Sequence, residues 1–212
     1  MPRVLHVDHL FVSPWAMSVF VALTEKGLPF TVETLDLEAG DQHRGAYAER
    51  AVTARVPALA DGDFVLTEST AIAEYLDERY PAPAYTSLYP ADLRQRALAR
   101  QVQGWLRTDL QALRSERDTE TLFLGKPPAP FTPAGHAAAA KLFHVAAQWV
   151  RGPSLFDDWS IADVDLALML NRLIVHGDPV PQPLRDYAAH QWERPSVQAW
   201  LAMDCPQLRS AA

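Results

Sequence analysis

Ser13 is the first residue whose type and position could support chemistry. It follows an apolar run, residues 4–11, that is typical of a strand, and it precedes Pro14, which suits the first position of a helix. Open α/β sheets bind ligands where a strand ends and a helix begins, and the free N–H groups and dipole of a helix N-terminus favour an anion there. A serine hydroxyl can donate one more hydrogen bond to such an anion. The simpler alternative is that Ser13 only caps the helix.

A short β-hairpin is predicted in the middle of the N-terminal half. Two apolar runs, residues 58–60 and 64–66, are separated by Asp61-Gly62, a strong turn signal because glycine tolerates a positive φ. Pro57 has no N–H for a sheet ladder, so it must lie at a strand start or at a sheet edge.

Two polar residues, Glu68 and Ser69, follow the hairpin directly. Ser69 precedes an amphipathic run that contains Ile72 and Leu76, so we predict that Ser69 is a helix N-cap. Glu68 taken alone is a solvated carboxylate near a helix N-terminus, where negative charge is favoured. Each of these features alone indicates an ordinary hairpin followed by a capped helix.

Three motifs taken together in this order carry a family resemblance: Val56-Pro57-x-Leu59, Glu68-Ser69 and Ala71-Ile72-x-x-Tyr75-Leu76. The series resembles the glutathione-binding half of the glutathione S-transferase family, in its serine-type, theta-like bacterial form. In that family the proline is cis, and the backbone at the valine pairs with the cysteinyl amide of glutathione. The Glu-Ser pair holds the γ-glutamyl end. The resemblance therefore implies that Val56, Glu68 and Ser69 bind glutathione.

The resemblance also implies a catalytic role for Ser13. The anion that the family binds at the first helix is the thiolate of glutathione, and family members carry Tyr, Ser or Cys in this loop. A free thiol has a pKa of about 8.5, and a helix N-terminus can lower it by about one to several units. Here the candidate is Ser13, since the nearest tyrosine is Tyr47 and the only cysteine is Cys205.

Arg55 directly precedes Val56, at a position where family members often carry Lys or Gln that reaches the glycyl carboxylate of glutathione. An arginine can bind a carboxylate through two parallel hydrogen bonds. A solvated surface charge is an equally good interpretation of Arg55.

The elements around these residues predict an α/β domain. The predicted order is a strand at 4–11, a helix at 14–26, a strand at 30–37, a short or irregular helix within 38–54, the hairpin and a helix at 69–80. The first strand, helix and strand have short connections and imply a right-handed parallel crossover. The order βαβαββα is the thioredoxin-like topology that the resemblance implies.

A proline cluster at residues 81–83 predicts a domain boundary. We assign residues 1–82 to the thioredoxin-like domain, 83–89 to a linker and 90–212 to an all-α domain, which together make the glutathione S-transferase fold. The second domain should contain a helix at 90–117, about 40 Å long, an irregular loop at 118–132 and a helix from 133. A buried central helix should start at Ser160, and short helices at 181–191 and 195–203 should follow.

Composition excludes several classes of function. The formal net charge of −7 argues against a nucleic-acid or anionic-membrane surface, which needs clustered Lys and Arg. One cysteine excludes an internal disulfide, and the seven histidines have no metal-ligand spacing, so we predict no metal. The N-terminus has no basic region followed by an apolar core, and the apolar run 166–175 is too short to span a bilayer. We therefore expect a cytoplasmic protein that binds no membrane.

The leading hypothesis is an enzyme that activates glutathione for conjugation to a small electrophile, or for reduction of a peroxide, in detoxification and oxidative stress. A thiol-disulfide or dehydroascorbate-type enzyme would need a cysteine where Ser13 lies. The alternative is a non-catalytic transferase-like interaction or stress-response module, although such members tend to lose the Glu-Ser pair. The resemblance and the long predicted helix together imply a homodimer.

Overall fold

The computed structural model describes residues 3–203, which divide into two compact units. One unit comprises residues 3–88 and 196–203, and the other comprises residues 89–195. The linker predicted at 83–89 stays a prediction. Residues 196–203, which were predicted as part of the all-α domain, cluster with the first unit. Cys205 lies outside the described residues.

The first unit has the predicted order βαβαββα. Its elements are β1 (Arg3–Asp8), α1 (Pro14–Glu25), β2 (Phe30–Leu35), a 3₁₀ turn (Asp41–His43), α2 (Gly45–Arg50), β3 (Ala58–Asp61), β4 (Phe64–Thr67) and α3 (Ser69–Arg79). The sheet order is β2-β1-β3-β4. β1 runs parallel to β2, and β3 is antiparallel to both β1 and β4. This arrangement confirms the thioredoxin-like topology and the hairpin at Asp61-Gly62.

Both long strands are shorter than predicted. β1 ends at Asp8 instead of residue 11, because Phe11 donates its N–H back to the Asp8 carbonyl at 3.1 Å and has a φ of 54°. β2 ends at Leu35 instead of residue 37, because Asp36 leaves the ladder and its N–H bonds the Asp41 carboxylate at 3.0 Å. The apolar pattern therefore predicts strands that run two or three residues too far. Those residues belong to turns, which backbone and side-chain hydrogen bonds close.

The last helix, α10 (Pro195–Leu201), carries Trp200, which packs within the first unit. Its indole lies edge-on to Phe11, with ring centroids 5.7 Å apart, and 5.5 Å from Phe20 of α1. Trp200 is almost fully buried. α10 thus covers the middle of α1 and the loop before that helix.

The described residues of the second unit form helices joined by loops, with no strand among them. It contains α4 (Leu93–Thr108), α5 (Gln111–Glu116), α6 (Thr119–Leu124), α7 (Pro133–Trp149), α8 (Ile161–Ile174) and α9 (Gln182–Trp192). Residues 161–173 of α8 are all buried, which confirms the predicted central helix. The Ser160 N–H donates to the Asp163 carboxylate at 2.8 Å, so the aspartate reaches back to the helix start as predicted. Within residues 3–203, no helix combines the length and apolar character needed to cross a membrane.

Two helix predictions for this unit are wrong. The helix predicted at 90–117 is broken between α4 and α5, where Leu110 has a left-handed φ of 59° and its N–H bonds the Asp109 carboxylate at 2.7 Å. The turn buries Leu110, so packing overrides the continuous helical pattern. α4 spans 16 residues, or about 24 Å.

The segment 118–132, predicted as irregular, contains α6. The Asp118 carboxylate accepts the Thr121 N–H and hydroxyl, each at 2.8 Å, and starts this six-residue helix. Gly125, with a φ of 68°, ends it before the prolines begin. A strong N-cap therefore supports a helix turn that the proline-rich composition of the loop obscured.

Candidate functional site

The sheet register brings the predicted site segments to one end of the sheet. His6 of β1 pairs with Ala58 of β3, and Ala58 pairs with Thr67 of β4. The chain after β1, the chain before β3 and the chain after β4 therefore leave the sheet at the same end. These three segments carry Ser13, Arg55-Val56 and Glu68-Ser69 respectively.

Ser13 is the N-cap of α1, as predicted. Its backbone is extended, with φ −74° and ψ 113°, and its Oγ accepts the Ala16 N–H at 3.2 Å. The side chain is partly exposed. Because the oxygen acts as the acceptor in the cap, the hydroxyl hydrogen remains a donor for a ligand at the helix N-terminus. The cap and a catalytic donor are thus compatible in one side chain.

Asp8 is a residue of this region that the sequence reasoning missed. It ends β1 and is only 4% exposed. Its Oδ2 accepts the Val12 N–H at 2.8 Å and its Oδ1 accepts the Ser13 N–H at 2.9 Å. The only signal in the sequence is an aspartate five residues before the cap, a spacing that occurs in many loops. The carboxylate fixes the loop from which Ser13 projects.

Val56 and Arg55 lie directly before β3. The Val56–Pro57 bond is cis, as the resemblance implies, and Arg55 is exposed. The hydroxyl of Tyr47, on α2, donates to the Arg55 carbonyl at 2.6 Å. Sequence reasoning considered Tyr47 only as a catalytic hydroxyl and did not find this contact.

Ser69 is not the N-cap of α3, contrary to the prediction. The helix begins at Ser69, and Glu68 occupies the cap position with φ 71° and ψ 113°. The Glu68 carbonyl accepts the first helical N–H, that of Ile72, at 2.9 Å. Ser69 is 5% exposed, whereas Glu68 is exposed. A positive φ is uncommon for a residue with a side chain and is found preferentially at functional sites.

A cavity of about 500 Å³ lies between α2 and the sheet. Its wall includes Tyr47 and Arg50 of α2 and His6 and Glu33 of the strands. The rings of His6 and Tyr47 meet edge to face, with centroids 5.2 Å apart. Burial raises the pKa of Tyr47 to about 12, so its hydroxyl stays protonated.

Metal binding has no support in the described part of the chain. Among residues 3–203, no three His, Cys, Asp or Glu side chains are grouped so that they could hold an ion. The groups that meet at the end of the sheet are hydroxyl and backbone groups and a carboxylate acceptor, which suit a polar peptide-like ligand.

Comparison with family models gives two matches that together cover most of the chain. Residues 12–79 match the model described as glutathione S-transferase, N-terminal domain. Residues 92–206 match the model described as glutathione S-transferase, C-terminal domain.

Curated relatives match in part of their length. Glutathione S-transferase theta-3 of Mus musculus is 36% identical over 117 residues, which cover 53% of this chain and 48% of the relative. Glutathione S-transferase theta-1 of Homo sapiens is 37% identical over 125 residues, or 57% of this chain and 51% of the relative. The chain therefore spans about half the length of the curated relatives it matches.

Two solved structures match over 97% or more of the chain. A glutathione transferase homolog from Burkholderia gl BGR1, with bound glutathione, is 43% identical with a TM-score of 0.78, and the match covers 100% of both chains. A theta class glutathione S-transferase from Xanthomonas axonopodis pv. citri is 23% identical with a TM-score of 0.76 and covers 97% of this chain and 100% of its own. The second match bears on the fold alone.

Proposed function

We propose, because the chain belongs to the glutathione S-transferase family, that it binds glutathione and activates the thiol for transfer to an electrophile. The observation that carries this proposal is the meeting of Ser13, Val56 and Glu68-Ser69 at one end of the sheet. β1 and β4 are separated by one strand, so the end of β1, which leads to Ser13, and the end of β4, which leads to Glu68, lie about 10 Å apart. Three extended residues span about the same distance, which supports a tripeptide ligand.

Each end of glutathione has a candidate partner. The backbone at Val56 would pair with the cysteinyl amide, and Glu68 and Ser69 would hold the γ-glutamyl end. Arg55, which is exposed, would reach the glycyl carboxylate. The sulfur would then lie at the N-terminus of α1, beside Ser13.

The chemical step follows from the position of Ser13. Its hydroxyl would donate to the sulfur while its oxygen accepts the Ala16 N–H, and the dipole of α1 would favour the thiolate over the thiol. The thiol proton would leave to solvent, and the sulfur electron pair would form a bond to the electrophilic carbon. The bond to the leaving group would break, with the leaving group taking its electron pair.

The partner molecule would be a small electrophile, and the same thiolate would also reduce a peroxide. Detoxification, a role in oxidative stress, a cytoplasmic location and a homodimer belong to this proposal. A non-catalytic interaction module is the rival hypothesis, and intact Glu68-Ser69 argues against it.

The experiment is calorimetric titration of the purified protein with glutathione, followed by a conjugation assay with 1-chloro-2,4-dinitrobenzene. We expect saturable binding and glutathione-dependent formation of the conjugate. Binding without turnover of any tested electrophile or peroxide would favour the interaction module. Absence of binding at millimolar glutathione would contradict both the site and the activity.

A further inference from the structure

Among the described residues, Tyr47 is the α2 residue whose side chain bonds the segment before β3. Its hydroxyl donates to the Arg55 carbonyl at 2.6 Å, a short contact for two neutral groups. Arg55 and Val56 lie outside any helix or strand, and Ala54 beside them has a positive φ of 47°. Nothing in a sheet ladder therefore fixes the direction of the backbone groups at this point.

α2 itself is only lightly attached to the sheet. It has six residues, none of which is buried, and the cavity of about 500 Å³ separates part of it from the strands. Arg50 also bonds the hairpin turn, where its Nη2 donates to the Gly62 carbonyl at 3.4 Å and to the Asp63 carbonyl at 3.1 Å. That tie lies at the far end of the hairpin from Val56, so it cannot orient the Arg55–Val56 backbone.

The Tyr47 ring is held in place for this bond. Its edge-to-face contact with His6 fixes the ring over β1, the strand that pairs with β3. The hydroxyl then reaches across to the chain that enters β3. A ring that α2 packs against β1 thus holds the segment that enters the neighbouring strand, β3.

We propose that Tyr47 is a positioning residue for glutathione: its hydroxyl fixes the Arg55–Val56 backbone so that Val56 can pair with the cysteinyl amide. This inference rests on the proposed function. The contact does not touch the sulfur itself, so we expect it to contribute equally to the ground state and the transition state. Such uniform binding changes KM and leaves kcat unaffected.

The test is Tyr47→Phe, which removes the hydroxyl and keeps the ring on His6. One lost neutral hydrogen bond should raise the KM for glutathione by about three- to tenfold, with kcat at saturation unchanged. The thiolate titration of bound glutathione should also be unchanged. A lower kcat with an unchanged KM, or a KM equal to that of the wild type, would overturn the proposal.

Tyr75→Phe is the matched control. Tyr75 is also a partly exposed tyrosine whose hydroxyl bonds the first unit, at 2.9 Å to the Asp61 carboxylate, but it does so at the opposite end of β3. We expect wild-type KM for this variant. An equal rise in KM for both variants would mean that loss of any such bond loosens the unit, and it would overturn a specific role for Tyr47.

A second ligand locates the effect within glutathione. γ-Glutamylcysteine keeps the cysteinyl amide and lacks the glycine, so Tyr47→Phe should weaken both ligands by the same factor. Arg55→Ala should weaken glutathione only, if the guanidinium binds the glycyl carboxylate. Selective weakening of glutathione by Tyr47→Phe would overturn the assignment to Val56. Failure of the wild-type protein to bind either ligand would instead contradict the proposed function.

Discussion

The carboxylate of Asp8 accepts the backbone N–H of Ser13 at 2.9 Å. Its second oxygen accepts the Val12 N–H at 2.8 Å, so one buried anion engages two consecutive N–H groups of the loop. Those two groups are consequently occupied by the protein before any ligand arrives. A thiolate at this place would depend on the Ser13 hydroxyl and on the N-terminus of α1.

Asp8→Asn should destabilise the protein and slow turnover. An asparagine has one carbonyl oxygen, so one of the two N–H groups would face an NH₂ group instead of an acceptor. The loss of one charge-assisted hydrogen bond costs about 1.5–3 kcal/mol, which urea unfolding would measure. Turnover should fall because the loop that carries Ser13 loses its anchor.

Asp92→Asn is the control for this change. Asp92 also binds two backbone N–H groups, those of Arg94 and Gln95, but both bond the same oxygen, Oδ1, at 3.0 and 2.9 Å. Asparagine keeps that oxygen, so the effect on stability should be small. Equal unfolding free energies for Asp8→Asn and the wild type would contradict the role that we give to Asp8.

Local signals predicted those parts of the fold that local interactions determine. Asp61-Gly62 makes a turn because Gly62 adopts its φ of 70° without support from distant residues. Ser13-Pro14 likewise starts α1 through local interactions, since the serine caps the helix and the proline suits its first position. The break at Leu110 was missed, since the sequence keeps its helical period there and only burial of the side chain rewards a left-handed turn.

The candidate site divides in the same way. Ser13, Val56 and Glu68 are found by motif, because each lies next to a turn or cap with a sequence signature. Asp8 and Tyr47 act through backbone groups of other segments, and no side-chain pattern marks such an acceptor or donor. The prediction that Ser69 caps α3 failed by one residue, since Glu68 adopts a φ that its residue type disfavours.

Glu68→Ala and Ser69→Ala should weaken glutathione binding more than they slow the chemical step. Both residues would hold the γ-glutamyl end, remote from the sulfur, so the loss appears in KM. One charged hydrogen bond is worth about 1.5–3 kcal/mol, or roughly ten- to two-hundred-fold in affinity. Calorimetric titration measures this directly, and unchanged affinity in both variants would mean that the site is misplaced.

Glu68→Gly separates binding from folding. Glycine has no Cβ and adopts a positive φ such as 71° at a lower cost than glutamate, so this variant should lose the carboxylate with little loss of stability. Weak glutathione binding in a protein of undiminished stability would support a direct contact. Undiminished binding would exclude one.

His6 should make the stability depend on pH. Burial lowers its pKa, Glu33 opposes this shift and Arg50 adds to it. The unfolded chain, with a pKa of about 6.5, therefore takes up the proton first as the pH falls. Stability should be full above about pH 6.5 and should decrease below it, down to the lower pKa of the folded state. His6→Phe keeps a ring beside Tyr47 and removes the titrating group, so its unfolding free energy should fall less between pH 7.5 and 5.5 than that of the wild type. An equal decrease in both proteins would contradict this prediction.

We still expect a homodimer, although the long helix at 90–117 that was one reason for this prediction is broken into α4 and α5. Each unit still exposes large apolar side chains: Val52 is 88% and Phe64 45% exposed in the first unit, and Leu93 is 79% and Leu98 44% exposed on α4. Burial of such side chains against a second copy would stabilise the association. Sedimentation should give twice the chain mass at micromolar concentration, and Val52→Glu or Leu93→Glu should shift it towards the monomer. A 23.6 kDa species for the wild type would contradict the dimer.

Ser13→Ala should raise the pKa of bound glutathione and slow turnover near neutral pH. One lost charge-assisted hydrogen bond of about 1.5–3 kcal/mol corresponds to roughly one to two pKa units, and the defect should shrink at alkaline pH, where the thiol ionises unaided. Ser13 also caps α1 through Ala16, so a folding defect of about 1 kcal/mol could imitate the loss of catalysis. Ser13→Gly resolves this, because glycine caps nearly as well and has no hydroxyl.

The measurement is the ultraviolet thiolate titration of bound glutathione in the wild type and Ser13→Gly. Identical midpoints would show that the hydroxyl does not set the thiol pKa, and the dipole of α1 would then carry the stabilisation of the thiolate.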